Sequence, residues 1–203
     1  MRKLETIGRT CYKSESNITE ESGKRFVRNL IQHGHEAMLE HVSISVKFTV
    51  DRGISHELVR HRMASFAQES TRYCNYSKDK FGKELTFIEP YFWGNSEHDL
   101  EMKAWKEMMQ QTEDLYMAFS EYNVKPEEAR AILPNSLKTE IWMTCNLREW
   151  RHVLKLRAAG TTGKPHPQMA EIMIPLLKHM KKYLPDVFFD KIEIGRASCR
   201  ERV

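Results

Sequence analysis

Between His41 and Val50 the chain alternates without a break, apolar Val42, Ile44, Val46, Phe48 and Val50 interleaving with polar His41, Ser43, Ser45, Lys47 and Thr49. A period of two predicts a strand with one buried face. Ahead of it, Phe26, Val27, Leu30 and Ile31 recur at helical spacing within Ser22 to Gln32, and Gly34 supplies a stop. A short helix from Gly53 to Met63 is expected next. Ser96, with Asp99 three residues on, has the spacing of a capping box. Behind it Leu100, Ala104, Met108, Leu115, Phe119 and Tyr122 form a stripe that predicts one long amphipathic helix with this row turned to the core, ending near Asn123.

Pro126, followed by Glu127 and Glu128, starts another short helix that carries Arg130 and stops before Pro134. Leu137 to Cys145 alternates again and predicts a second strand. Asn146, three residues before Glu149, suits a helix N-cap, and Leu147, Trp150, Leu154 and Ala158 mark that helix's buried face, with Arg148, His152 and Arg157 on its other sides. After a loop at residues 160–164, Pro167 begins a last helix whose Ile172, Met173, Leu176, Leu177 and Met180 face a core, with a kink expected at Pro175. Helices and strands mix without strict βαβ alternation, which favours an α+β class.

Composition narrows the setting. A chain of 203 residues suits one sizeable core, so a single domain is expected over residues 1–193. No apolar run approaches the roughly 20 residues needed to cross a bilayer, and Met1 to Tyr12 lacks the apolar centre of a secretory signal. No membrane association and a cytoplasmic location are the expectations. Cys11, Cys74, Cys145 and Cys199 show no C-x-x-C spacing, so reduced thiols are expected and no metal site. Ile194 to Val203 has no apolar period and resembles translated sequencing adapter, a non-native tail outside the fold.

The net charge of +4 is modest, yet Arg60, Arg62, Arg72, Arg130, Arg148, Arg151 and Arg157 fall within otherwise core-forming segments. That placement points to small anionic ligands. The densest group runs Arg60-His61-Arg62-Met63-Ala64-Ser65-Phe66-Ala67-Gln68-Glu69-Ser70-Thr71-Arg72-Tyr73. Its guanidinium forks, imidazole and hydroxyls suit phosphates and a nucleobase. On charge alone a solvated basic helix face or a basic nucleic-acid-binding module fits equally well. His33, His35, Glu36, Glu40 and His41 cluster without the i, i+4 histidine spacing of a helical zinc site. Residues 160–165 fail as a phosphate loop, because Ala158 stands where the first glycine is needed and Pro165 follows Lys164.

The segment Arg60 to Arg72 resembles the R-H-R-x-x-S-x-x-x-x-S-x-R signature of flavin-dependent thymidylate synthases at every specified position, and the resemblance runs from about Leu4 to Leu184. It implies an α+β fold with a central, mostly antiparallel sheet, flanking helices and one long amphipathic helix. In that family Leu4 to Tyr12 follows a first strand, so an N-terminal strand is expected to be missing here. The resemblance implies conversion of dUMP to dTMP with FAD as redox mediator and with NADPH and 5,10-methylenetetrahydrofolate as co-substrates. It also implies a homotetramer with sites shared between subunits and no nucleic-acid partner. His35, Ala37, Arg60, His61, Arg62, Gln68, Asn146, Arg148 and His152 are the implied cofactor-binding residues. Glu57, Arg60, Gln68, Glu69, Ser70, Thr71, Arg72, Arg130 and Arg157 are the implied substrate-binding ones. Arg157 is the implied activating group, a fixed cation that favours the ionised N3 of the uracil and so enriches its C5. Ser70 has no neighbouring base pattern and is expected to bind rather than attack. His166 and Gln168 resemble the pair that precedes the family's last helix.

Overall fold

The computed structural model describes residues 1–189, and the expected foreign tail lies outside them. Among the described residues, seven α-helices and three strands alternate with short 3-10 turns: α1 (Arg2–Thr10), α2 (Ser22–Gln32), β1 (Ser43–Asp51), α3 (Arg52–Leu58), β2 (Ser65–Gln68), α4 (Asp99–Glu121), α5 (Pro126–Ala129), β3 (Lys138–Asn146), α6 (Leu147–Arg157) and α7 (Pro167–Tyr183). The strands form one antiparallel sheet in the order β1-β3-β2, an α+β arrangement as expected. No helix among the described residues is long and apolar enough to cross a membrane. The chain divides into two compact units, Met1–Ser45 with the described residues from Thr144 onward, and Val46–Met143.

In the first unit α2 occupies the span its periodicity predicts, burying Val27, Leu30 and Ile31. It ends in a Schellman motif: the His35 amide donates to the Leu30 carbonyl at 2.8 Å and the Gly34 amide to Ile31 at 3.0 Å, with Gly34 at φ +76°. A side chain at Gly34 would be strained by that conformation, so the glycine decides where His35 emerges. Residues ahead of Ser22, to which the sequence pattern assigned no helix, form α1 against α2. A Cβ on Gly8 would stand 2.8 Å from Phe26 Cε1 and 2.9 Å from Leu30 Cδ1, so a side chain there would make both of those side chains move. Glu5, 1% exposed, is held by Arg9 at 2.8 Å.

The helix α6 starts as foreseen, with Asn146 Oδ1 accepting from the Glu149 amide at 2.9 Å. Its Trp150 is fully buried and donates from Nε1 to the Ile44 carbonyl at 3.0 Å. Arg151 corrects the ligand-binding expectation placed on the arginines as a group. It is 2% exposed, donates from Nε to Glu36 at 3.1 Å and also to the Val187 carbonyl, so its charge is matched inside the fold. The helix α7 continues through Pro175, whose ring lies on its exposed side, and buries Met169, Met173, Leu177 and Met180.

In the second unit α3 is capped by Asp51, whose Oδ1 accepts from the Ile54 amide at 2.6 Å. It stops at Leu58 rather than running to Met63, which is 73% exposed in the following turn. Two expectations for α4 are corrected. The Ser96 capping box does not form, because Ser96–His98 is a separate 3-10 turn and α4 starts at Asp99 without a side-chain cap. The buried row is Met102, Met109 and Tyr116, while Leu100 (80%), Met108 (55%), Leu115 (45%) and Tyr122 (75%) of the expected core stripe are exposed. Both rows are apolar at heptad-like spacing, so periodicity alone does not decide between them. The helix ends at a left-handed Asn123 (φ 60°), with the Val124 amide donating to the Phe119 carbonyl at 2.9 Å. Tyr116 packs with Tyr76, Leu85, Ala129 and Leu137.

Candidate active site

The expected site residues fall into two groups, one in each unit. In the first unit His35 and Ala37 are exposed just after the end of α2 and line a 320 Å³ cavity with Ile7, Gly8, Cys11, Tyr12, Leu30, Met38, His41 and Arg148. Arg148, in the first turn of α6, donates to Glu40 at 2.5 Å. That carboxylate raises the guanidinium's pKa further above its already high value. Asn146 is occupied as the N-cap and thereby orients Arg148, two residues on. His152 is exposed one turn later, and burial pushes the Glu149 carboxyl upward, with His152 opposing the shift. Arg157 is half-buried at the last position of α6, and Gly160 (φ 65°) then turns the chain. Gln168 is buried at the start of α7, whereas His166 is exposed.

The cavity combines an apolar wall with imidazole and guanidinium donors and the Glu36 carboxylate, which is itself held by Arg151, a composition that suits a planar heteroaromatic ring with carbonyl acceptors and ring N–H donors. At 320 Å³ it sits near the lower end of ligand pockets, room for part of a flavin nucleotide rather than the whole. The donor set therefore fits the group implied by the signature.

In the second unit the signature folds as turn, strand and turn. The Arg60 and His61 amides donate back to Glu57 and Leu58 at 3.3 and 3.1 Å, tightening the exit from α3. His61 (6%) points inward while Arg60 and Arg62 are exposed, and Glu57 is half-buried. Ser65 to Gln68 forms β2, a strand the sequence pattern did not foretell. Gln68 directs its amide nitrogen inward, to Ser55 Oγ at 2.9 Å and Thr139 Oγ1 at 3.2 Å. Ser70 Oγ accepts from the Arg72 amide at 3.3 Å, and Thr71 is 7% exposed. Arg72 donates to Glu127 at 2.9 Å, while Arg130 is exposed at the start of the 3-10 turn after α5.

Glu69 behaves differently from its neighbours. Its Oε1 accepts from the Tyr76 hydroxyl at 2.9 Å, and its Oε2 from Lys138 Nζ at 3.3 Å and the Glu140 amide at 3.2 Å. Burial first, then the hydrogen bond and charge of Glu69, push the Tyr76 phenol well above its usual range. Tyr76 and Lys138, which hold the Glu69 carboxylate, were not foreseen from the sequence. Tyr76, four positions past the signature's last arginine, was the available signal.

The signature thus places its cations on one short turn anchored to a sheet, in an α+β chain, the arrangement of a candidate anion site. Residues 2–186 match the family described as "Thymidylate synthase complementing protein". The flavin-dependent thymidylate synthase of Pyrococcus furiosus is 32% identical over 194 residues, covering 89% of this chain and 75% of that protein. That of Thermococcus kodakarensis is 36% identical over 160 residues, covering 77% and 59%. The chain belongs to the flavin-dependent thymidylate synthase family. A crystal structure of the UMP/dUMP methylase PolB from Streptomyces cacaoi bound with 5-Br dUMP shares the fold, with a TM-score of 0.75 at 19% identity over 92% of this chain and 87% of that one.

Proposed function

We propose that this chain is the subunit of an enzyme that reductively methylates dUMP to dTMP, with FAD bound and with 5,10-methylenetetrahydrofolate and NADPH as co-substrates. The observation that carries this reading is the anchored turn Ser70 to Arg72, which follows the exposed cations Arg60 and Arg62 on one short stretch of chain. FAD, when bound, supplies the two-electron chemistry that converts a one-carbon unit into a methyl group.

The chain's own residues bind and orient. His35, Ala37, Asn146, Arg148 and His152 serve the cofactor, as do Arg60, His61 and Arg62. Ser70, Thr71 and Arg72, with Glu57, Gln68 and Arg130, serve the nucleotide through hydroxyl, amide, carboxylate and guanidinium groups matched to its phosphate and base edge. Arg157 stabilises negative charge at N3 of the uracil and so directs electron density toward C5.

The working form is a homotetramer in the cytoplasm. Support for assembly comes from the row Leu100, Met108 and Leu115 on α4 and Tyr122 just after it, large apolar side chains 45 to 80% exposed. Cysteines without framework spacing suit a reducing compartment. The deciding experiment is an anaerobic assay for dTMP from dUMP, 5,10-methylenetetrahydrofolate and NADPH with purified flavoprotein. Product formation is expected. A colourless protein that makes none and binds oligonucleotides in a salt-sensitive manner would replace this reading with the nucleic-acid-binding one.

A further inference from the structure

We propose that Glu69 is a positioning residue that clamps the nucleotide-binding turn to β3 through Tyr76, Lys138 and the Glu140 amide. The inference rests on the proposed nucleotide role of Ser70, Thr71 and Arg72. The side chain of Glu69 is 14% exposed and both of its oxygens are engaged within the protein, so its carboxylate acts on the turn rather than on a ligand. Its own amide donates to the Glu140 carbonyl at 2.9 Å, so backbone and side chain are fixed to the same strand.

The other end of the turn is held at Tyr76. Its ring lies in the cluster with Leu85, Tyr116 and Leu137, with a centroid distance of 6.0 Å to Tyr116. Its hydroxyl reaches back across seven residues to Glu69. Between these two attachments the chain folds on itself, the Tyr73 and Cys74 amides donating to the Ser70 carbonyl at 3.2 and 2.9 Å. The ordering entropy of Ser70 to Arg72 is therefore lost on folding rather than on binding, which strengthens binding without adding a contact.

The test compares holoenzymes carrying Tyr76→Phe, Glu69→Leu and Glu69→Gln with the unsubstituted protein. Tyr76→Phe and Glu69→Leu are expected to raise KM for dUMP about tenfold, as a lost buried hydrogen bond does, while kcat and FAD affinity stay within about twofold. Glu69→Gln, with Oε1 turned to the Glu140 amide, keeps that acceptor and lets Nε2 donate to the Tyr76 hydroxyl oxygen, and so restores most of the loss. Amide hydrogen exchange at residues 70–75 should quicken in the first two variants only. A fall in melting temperature with KM and exchange unmoved overturns the clamp, as does a parallel loss of kcat, KM and FAD affinity. Should the unsubstituted enzyme make no dTMP, the functional reading fails separately, and the exchange rates still decide whether Glu69 holds the turn.

Discussion

Arg72 donates through Nε to Glu127 at 2.9 Å while its guanidinium lies 5.3 Å from the centre of the Tyr73 ring. An arginine proposed for the nucleotide is thus already engaged by a carboxylate that an anionic ligand must displace. Both side chains are about half exposed, so the pair is weak. Glu127→Gln is expected to lower KM for dUMP by at most about fivefold, with a smaller gain at high salt. Steady-state kinetics at two ionic strengths check this, and an unchanged or raised KM counts against Arg72 as a nucleotide ligand.

Arg157→Ala separates cofactor binding from activation. The variant should keep its flavin absorbance and lose at least about a hundredfold in methyl transfer, the scale seen when a charge-stabilising group is removed. Near-normal dTMP formation by this variant removes the activation role.

The thiols are predicted to be dispensable. Burial pushes the Cys145 thiol up to about 12, and the Glu149 charge adds to that shift, so Cys145 carries no thiolate at neutral pH. Replacing Cys11, Cys74 and Cys145 singly by Ala should leave dTMP formation per folded enzyme intact, with Cys145→Ala costing about 1 kcal/mol in stability. Loss of turnover with any one of them would point to a cysteine-dependent mechanism instead.

Tyr76 should leave a signature in alkaline titration. Its pKa is raised in the folded chain and lies near 10 in the unfolded one, so its stabilising contribution is full below about pH 10 and is lost as pH rises through the folded value. Tyr116 is raised too, chiefly by burial. Absorbance at the phenolate band should include a delayed step that shrinks in Tyr76→Phe, whose stability should fall less steeply above pH 10 than that of the unsubstituted protein.

How far the sequence reached differs from element to element. The limits of α2 and the two long strands were legible because their periods are clean and their stops chemical, Gly34 and Asn146 among them. The extent of α4 was legible but its inner face was not, since Leu100, Met108 and Leu115 compete with Met102, Met109 and Tyr116, and tertiary packing makes the choice. Four residues of β2 carry too little alternation to announce a strand, and the nine residues of α1 include few large apolar ones. The signature was plain in the chain. The supports of Glu69 were not, because Lys138 stands 69 positions away and only the sheet brings it near.

The absence of a side chain at Gly8 has a consequence for the proposed cofactor site. Gly8 and Leu30, in the tight α1–α2 crossing, both also line the 320 Å³ cavity with His35 and Arg148. Gly8→Ala should therefore weaken FAD retention as well as lower the melting temperature, by an amount that equilibrium dialysis can measure. A methyl on Gly8 would press on Leu30, which also lines the chamber, so a single hydrogen atom on α1 lets that wall stand where it does.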